Sequence, residues 1–422
     1  MDNVIDILES RGLLEAMTSE DARRAVGEPL TVYAGFDPTS SSLQAGNLVA
    51  IIGLSHFQRC GHRVVALVGG ATGLIGDPSG KTAERALLSE EQVATNLEGI
   101  RENLSRFLDF NHPTAPATIV NNHDWMRDYG YIAFLRDVGK HFRMGAMLGR
   151  ESVRARMQNE EGMSYTEFSY QLIQAYDFLV LHDRHGCRVQ LGGSDQWGNI
   201  TAGTDLIRRL RGAETFGVTL PLVCDSAGQK FGKSAGNAVY LDARKTSCFD
   251  FYQFFIRTQD ADVVRFLKIF TFLPLGEIAE LERLVQSDPG RREAQKRLAE
   301  EATRLVHGEA GLDVARRSTA ALYGEAMEGL RADDLLAVFA DVPSTDLPAA
   351  KVAGALAVNL AADAGLCASR GEARRLAQSG GLYVNNRRVT GVDEAVGPDH
   401  LIEGRLVVLR SGKKNYHVVR VG

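Results

Sequence analysis

Thr31-Val32-Tyr33-Ala34-Gly35-Phe36-Asp37-Pro38-Thr39, followed by Ser42-Leu43-Gln44-Ala45-Gly46-Asn47-Leu48, decides the reading of the fold. Residues 30–36 have the Val- and aromatic-rich composition of a strand, which Pro38 stops. Gly46 then opens a helical pattern over 47–60. Without a Cβ it lets a flat ligand ring approach the backbone, while helix-end N–H groups face anions. The same residues could equally make a plain strand-to-helix turn.

The pattern repeats outward from this segment. Residues 63–69, 118–121, 188–191 and 218–223 read as short strands, and 90–107, 131–138, 165–182 and 195–210 as helices. Such alternation predicts an α/β fold with a doubly wound, Rossmann-like parallel sheet covered on both faces. Ligands of such sheets sit at the carboxyl ends of the strands, here the loops after Phe36, Gly69 and Leu191. From 247 onward the pattern is helical: 249–257, 261–270, 275–285 and 293–306. Residues 331–350, with Pro343 and Pro348, read as a linker, and a basic α+β tail follows over 351–422.

Composition supports this reading. The 422 residues are 44% hydrophobic and 24% charged, an ordinary globular balance that excludes disordered, collagen-like and disulfide-scaffold chains. The longest uncharged stretch is dotted with serines, Gln44 and Asn47, so no membrane span is expected. Five scattered cysteines without a CxxC pair, and no charged-then-apolar leader, predict a cytoplasmic chain. The net charge of −5 is uneven: from Lys351 onward 11 basic residues face 6 acidic ones. A basic module on an acidic body predicts a polyanionic partner, with a solvated surface as the alternative.

Two glycine-rich loops end in lysine. Gly69 to Thr82 and Gln229 to Ser234 both resemble phosphate-binding P-loops, yet Ile75 and Ala227 stand where that motif requires glycine. Neither is a P-loop, but both suit an extended polyphosphate. Tyr170, Gln174 and Asp177 fall at i, i+4 and i+7, on one face of an otherwise apolar helix. Buried polar groups need partners, which a small polar ligand or an internal network would supply. Gln190, Asp195 and Gln196 flank a strand end and a helix start, where ligand contact competes with capping. His182, Asp183, His185 and Cys187 lie too close in sequence to converge readily on one ion, so no metal site is expected. In the tail, Ser369-Arg370-Gly371-Glu372 has capping-box spacing, and Asn385-Asn386 suits a tight turn. Together they would present Arg370, Arg374, Arg375, Arg387 and Arg388 as a basic patch for phosphates.

In order and along essentially the whole chain, these motifs resemble those of the bacterial-type tyrosyl-tRNA synthetases, class I aminoacyl-tRNA synthetases that carry a C-terminal S4 RNA-binding domain. The resemblance implies a tyrosine–tRNA ligase that forms tyrosyl-adenylate from tyrosine and ATP with Mg²⁺, then charges tRNA(Tyr). Tyr33 and Asp177 would hold the phenol, Tyr170, Gln174 and Asp77 the ammonium, with Gln196 near the carboxylate and Asn122 in the same pocket. Gly35, Asp37, Gly46, Asn47, Gly192 and Asp195 would line the nucleotide site. Lys230, Lys233 and Ser234 would form the mobile lysine loop on the pyrophosphate, assisted by Lys81, Arg85 and Thr39.

The resemblance also implies a homodimer and the domain plan 1–246 catalytic, with a helical insertion near 122–160, 247–330 anticodon-side, and 351–422 S4. Lys140, Arg143, Arg150, Arg154 and Arg156 in the insertion would meet the tRNA acceptor end. One departure stands out: Gln44-Ala45-Gly46-Asn47 replaces the family's HIGH motif. Gln44 can donate a hydrogen bond to a phosphate but never carries charge. Competing readings are a tryptophan-activating relative, an adenylate-forming enzyme for small metabolites, and a catalytically impaired synthetase paralogue acting as an RNA-binding protein.

Overall fold

In a computed structural model the structure describes residues 2–79, 88–157, 162–234 and 237–422. They fall into two compact units, residues 1–242 with 257–306, and residues 243–256 with 307–422.

The first unit is built on a six-stranded sheet. Its strands are β1 (Ala16–Met17), β2 (Thr31–Phe36), β3 (Arg63–Val68), β4 (Ala117–Asn121), β5 (Cys187–Gly193) and β6 (Phe216–Leu220), in the order β1-β6-β5-β2-β3-β4. All neighbours are parallel except the short edge strand β1. Five of the six residues of β3 are buried, as expected of a strand covered on both faces. β6 ends at Leu220, three residues before the expected end, because Pro221 cannot donate to the ladder.

Strand order reverses at β2. The chain moves from β2 outward to β3 and β4, then returns to place β5 on the other side of β2. The crevice at the carboxyl ends of β2 and β5 is therefore the switch point where open α/β sheets bind ligands. The helix Tyr165–His185 precedes β5. Ser164 caps it by accepting from the Glu167 N–H, and Gly186 closes it in the left-handed region at φ 61°. Phe178 packs its ring 5.2 Å from Tyr33 of β2, in a core that includes Trp125, Leu172, Leu179 and Leu206.

The second unit carries a five-stranded sheet. Its strands are β9 (Ser344–Leu347), β10 (Leu382–Val384), β11 (Arg387–Arg388), β12 (Leu406–Ser411) and β13 (Asn415–Val421), in the order β11-β10-β12-β13-β9. Strands β7 (Lys233–Ser234) and β8 (Asn237–Ala238) form a separate antiparallel pair in the first unit. Asn385 and Asn386 turn the β10–β11 hairpin with φ of 48° and 62°, the left-handed pair that a two-residue loop needs. Ala361, Ala373, Leu382, Val407 and Val419 are among the residues of its core.

Two expectations about domain borders differ from the structure. The helical stretch 247–330 is divided between the units: the run Glu293–Leu322 breaks at Gly308, φ 70°, next to the border. The expected 331–350 linker instead holds the helix Ala332–Val338 and strand β9. Ala332, Leu335 and Val338 bury one helix face, and β9 pairs in parallel with β13. The prolines bracket the strand rather than mark a loop.

Candidate active site

A cavity of about 360 Å³ opens at the switch point. Tyr33, Gly35 and Asp37 enter it from β2 and its following loop, and Gly46 and Asn47 from the next helix start. Asp77 comes from the glycine-rich loop, Tyr170, Gln174 and Asp177 from one helix face, and Gln190, Gly192, Asp195 and Gln196 from β5 and its sequel. Thr39 and Lys230 complete the wall. An adjoining cavity of about 230 Å³ shares Asp37, Thr39 and Asn47 and adds Gln44 and Ser40.

One end of the main cavity is deep. Asp177 is 1% exposed, and its carboxylate accepts from the Trp125 indole N–H at 2.8 Å and from Asn122 Nδ2 at 3.0 Å. Burial pushes its pKa up to about 7, and the two hydrogen bonds only partly offset this. The neighbouring Tyr33 hydroxyl is buried and has no hydrogen-bond partner. Burial, then the Asp177 charge, raises its pKa well above the usual phenol value. A buried donor without a partner costs on the order of 1–3 kcal/mol, which a ligand with a complementary polar atom would recover.

Toward the middle, amides and a carboxylate form a connected rim. Gln196 donates to Asp77 at 2.6 Å, Gln174 donates to Gln196 at 3.3 Å, and Asn199 donates to Gln174 at 3.0 Å. Asp77 also accepts the Ser79 N–H at 2.9 Å. Burial, followed by repulsion from Asp77, raises the pKa of Asp195. Tyr170 donates to Asp37 at 2.7 Å. The arrangement offers an acid-rich middle for a cationic group between a phenol-sized deep end and an open polar mouth. Lys230 reaches that mouth on a loop whose Gly232 approaches the Gly46 backbone closely, since a Cβ there would lie 2.7 Å from Gly46 N.

Comparison with known proteins accounts for both units. Residues 25–324 match the profile of tRNA synthetases class I (W and Y), and residues 334–419 match that of the tyrosine–tRNA ligase SYY-like C-terminal domain. The tyrosine–tRNA ligase of Protochlamydia amoebophila is 51% identical over 422 residues, covering 100% of this chain and 99% of its own. That of Rhodopirellula baltica is 49% identical, covering 99% and 96%. The chain belongs to the tyrosine–tRNA ligase family. Among solved structures, a C-terminally truncated mitochondrial tyrosyl-tRNA synthetase of Aspergillus nidulans superposes with a TM-score of 0.68 at 33% identity, over 76% of this chain and 95% of that one. As a tyrosine–tRNA ligase the chain is an aminoacyl-tRNA synthetase, an ATP-dependent ligase of protein biosynthesis. The second profile, specific to tyrosine enzymes, separates it from the tryptophan-activating relatives.

Most residues expected in the ligase's pocket line this cavity. Asn122 sits behind Asp177 rather than on the wall, fully buried, and Gln44 lines the adjoining cavity. Lys233 is exposed and outside the main lining. Lys81, Arg85 and the Ser234 side chain lie outside the described residues. Trp125 and Thr72 escaped the sequence reading. Trp125 follows the carboxyl end of β4 by four residues, three beyond Asn122, and only the fold shows that its indole reaches Asp177.

Three of the four candidate metal-type residues at the helix end have other partners: His182 Nδ1 meets the Cys187 carbonyl, Asp183 pairs with Arg211 at 2.6 Å, and the Cys187 thiol donates to the Val189 carbonyl at 3.4 Å. One expectation about basic residues needs correction. Arg156 is 2% exposed and ion-paired with Glu167 at 2.8 Å, so it offers no charge to RNA. The five tail arginines are all exposed, and Arg387 and Arg388, as successive strand residues, point to opposite faces. Arg387 pairs with Glu328, while the Arg388 guanidinium lies against Gly380, past the end of the helix Arg370–Gln378. Arg370, Arg374 and Arg375 stay on that helix, and Arg370 reaches Asp363 at 3.4 Å.

Proposed function

We propose that the cavity seats tyrosine with its phenol at the deep end and ATP across the mouth. The observation that carries this is the partnerless, buried Tyr33 hydroxyl beside the buried Asp177 carboxylate. A phenol fits this pair: Tyr33 donates to its oxygen, and its own proton goes to Asp177. Phenylalanine would leave the Tyr33 hydroxyl unpaired and give Asp177 no further donor, a discrimination for which tyrosyl enzymes are the standard example. Asp77, Tyr170 and Gln174 take the ammonium, and Gln196 lies near the carboxylate. Gly35, Asp37, Gly46, Asn47, Gly192 and Asp195 receive the ribose and adenine.

The reaction on this reading needs no general base. Tyrosine's carboxylate is ionised at neutral pH, so its oxygen attacks the α-phosphorus directly, the bond to the bridging oxygen breaks, and pyrophosphate leaves. Alignment and positive charge are what the protein supplies. Lys230, Lys233 and Ser234 provide them, with Lys81, Arg85, Thr39, Gln44 and Asn47, and Mg²⁺ arrives with the ATP phosphates. A ribose hydroxyl of the terminal tRNA adenosine then attacks the tyrosyl carbonyl and AMP departs.

The remaining assignments belong to the same reading. Residues 351–422 act as the S4 module, with Arg370, Arg374, Arg375, Arg387 and Arg388 contacting tRNA phosphates. Tyr131, Ile132, Met144, Leu148, Met157 and Tyr165 are large apolar residues left 40–74% exposed between 131 and 165, which supports burial in a homodimer. No disulfide joins the five cysteines, consistent with a cytoplasmic setting. Among the described residues no helix is long and apolar enough to cross a membrane. Pyrophosphate exchange with tyrosine, phenylalanine and tryptophan, for the native chain and Asp177→Ala, tests the pocket. Tyrosine-specific exchange that is lost in the variant is expected; near-normal exchange by Asp177→Ala at low tyrosine would refute the assignment, and absence of exchange in the native chain would favour the RNA-binding paralogue.

A further inference from the structure

Thr72 has no role in the reading above, yet it joins the two halves of the site. Its hydroxyl donates to Asp37 Oδ1 at 2.7 Å and accepts from Asn122 Nδ2 at 3.0 Å. Asn122 Nδ2 spends its other hydrogen on Asp177 Oδ2 at 3.0 Å, and its Oδ1 accepts the Ala71 N–H at 2.7 Å. Tyr170 donates to the other oxygen of Asp37 at 2.7 Å. Every proton in this relay has an assigned direction. Asp177 lies at the phenol end, whereas Asp37 lines both the main cavity and the adjoining one.

The backbone is shaped around this relay. A Cβ at Gly69 would overlap both Asp37 Oδ1 and Thr72 Oγ1, and one at Gly73 would lie 2.8 Å from the Pro38 ring. Neither glycine has a positive φ, so their use here is close approach rather than turn geometry. Thr72 is 2% exposed, Asn122 0% and Asp177 1%, so bulk water does not compete for the Asn122 bonds to Thr72 and Asp177, while Asp37 is half-buried at the cavity wall.

We propose that Thr72 is a positioning residue whose hydroxyl couples the tyrosine subsite to the ATP subsite through Asn122 and Asp37. A phenol docked on Asp177 fixes Asn122, Asn122 orients the Thr72 hydroxyl, and Thr72 holds Asp37 in the rotamer that receives the nucleotide. Coupling of this kind is reciprocal: each ligand tightens the other by one factor. The proposal rests on the assignment of the two subsites made above.

The test measures ATP dissociation with and without saturating tyrosinol, which lacks the carboxylate and cannot react. In the native chain tyrosinol should tighten ATP about five- to tenfold, within the usual range for coupled sites. Thr72→Ser, which keeps the hydroxyl, should retain that factor. Thr72→Val, nearly isosteric, should bring it close to one while tyrosinol still binds. If Thr72→Val does not fold, Gly69→Ala, whose methyl displaces the Thr72–Asp37 pair, should show the same loss. A native factor of one, or an unchanged factor in the valine or alanine variant, overturns the proposal. Failure of the subsite assignment looks different, because tyrosinol then does not bind the native chain at all, and the coupling falls with it.

Discussion

Trp125→Phe should change how tyrosine binding depends on pH. The indole donates at 2.8 Å to a carboxylate whose pKa in the ligand-free pocket is already about 7. A hydrogen bond to a charged acceptor contributes about 1.5–3 kcal/mol, or about one to two pH units. Without the indole N–H, which lowers the Asp177 pKa, that pKa should rise further. A phenol needs the ionised acid as acceptor, so protonation competes with tyrosine. Steady-state pyrophosphate exchange at saturating ATP should therefore show KM for tyrosine raised about 10- to 100-fold at acid pH, converging on the native value above about pH 9. The maximal rate should change little, since the indole touches no reacting atom. A KM ratio that stays constant across pH would refute the argument and leave only a packing defect.

The same carboxylate affects stability. Its folded pKa of about 7 lies above the unfolded value of about 3.9, so the ligand-free protein binds the proton better when folded. Unfolding free energy should then fall as pH rises from about 4 to 7, by up to about 1.4 kcal/mol per unit from this group, and denaturant titrations of Asp177→Asn should lack that component. Arg156→Met leaves Glu167 buried and unpaired and should cost about 3–5 kcal/mol in the same titrations, whereas removal of both charges should cost far less. Ile132→Asp, at a site 74% exposed, should shift sedimentation toward monomer if the apolar face lies between two copies. Truncation after residue 350 should steeply lower tRNA charging and its salt dependence while sparing pyrophosphate exchange, because phosphate contacts release counter-ions.

Much of the site was legible because its residues sit where general rules place ligands. Asp37, Gly192 and Asp195 lie at the carboxyl ends of β2 and β5, Tyr33 enters the cavity from the middle of β2, and the i, i+4, i+7 spacing of Tyr170, Gln174 and Asp177 survives as one wall of the cavity. Trp125 and Thr72 were not legible. Their roles depend on which side chains meet across β3 and β4, and no linear spacing encodes that. Residues 331–350 misled because Pro343 and Pro348 suggested a loop, although Leu335 and Val338 are buried on one helical face. Arg156 misled because its charge was counted without its partner, which lies eleven residues away across the stretch 158–161 that the structure does not describe.

The amide at Asn47 has a settled orientation. The backbone N–H of Gln44 donates to its Oδ1 at 2.9 Å, so Nδ2 is the end left for other partners in the adjoining cavity. A residue that can ordinarily rotate to give or take hydrogen bonds is thereby held as a giver alone. Aspartate, of the same shape, would accept the Gln44 N–H equally well yet turn a second anionic oxygen toward the cavity proposed for ATP. Asparagine and aspartate, equal in size, thus differ here only in the atom they turn outward.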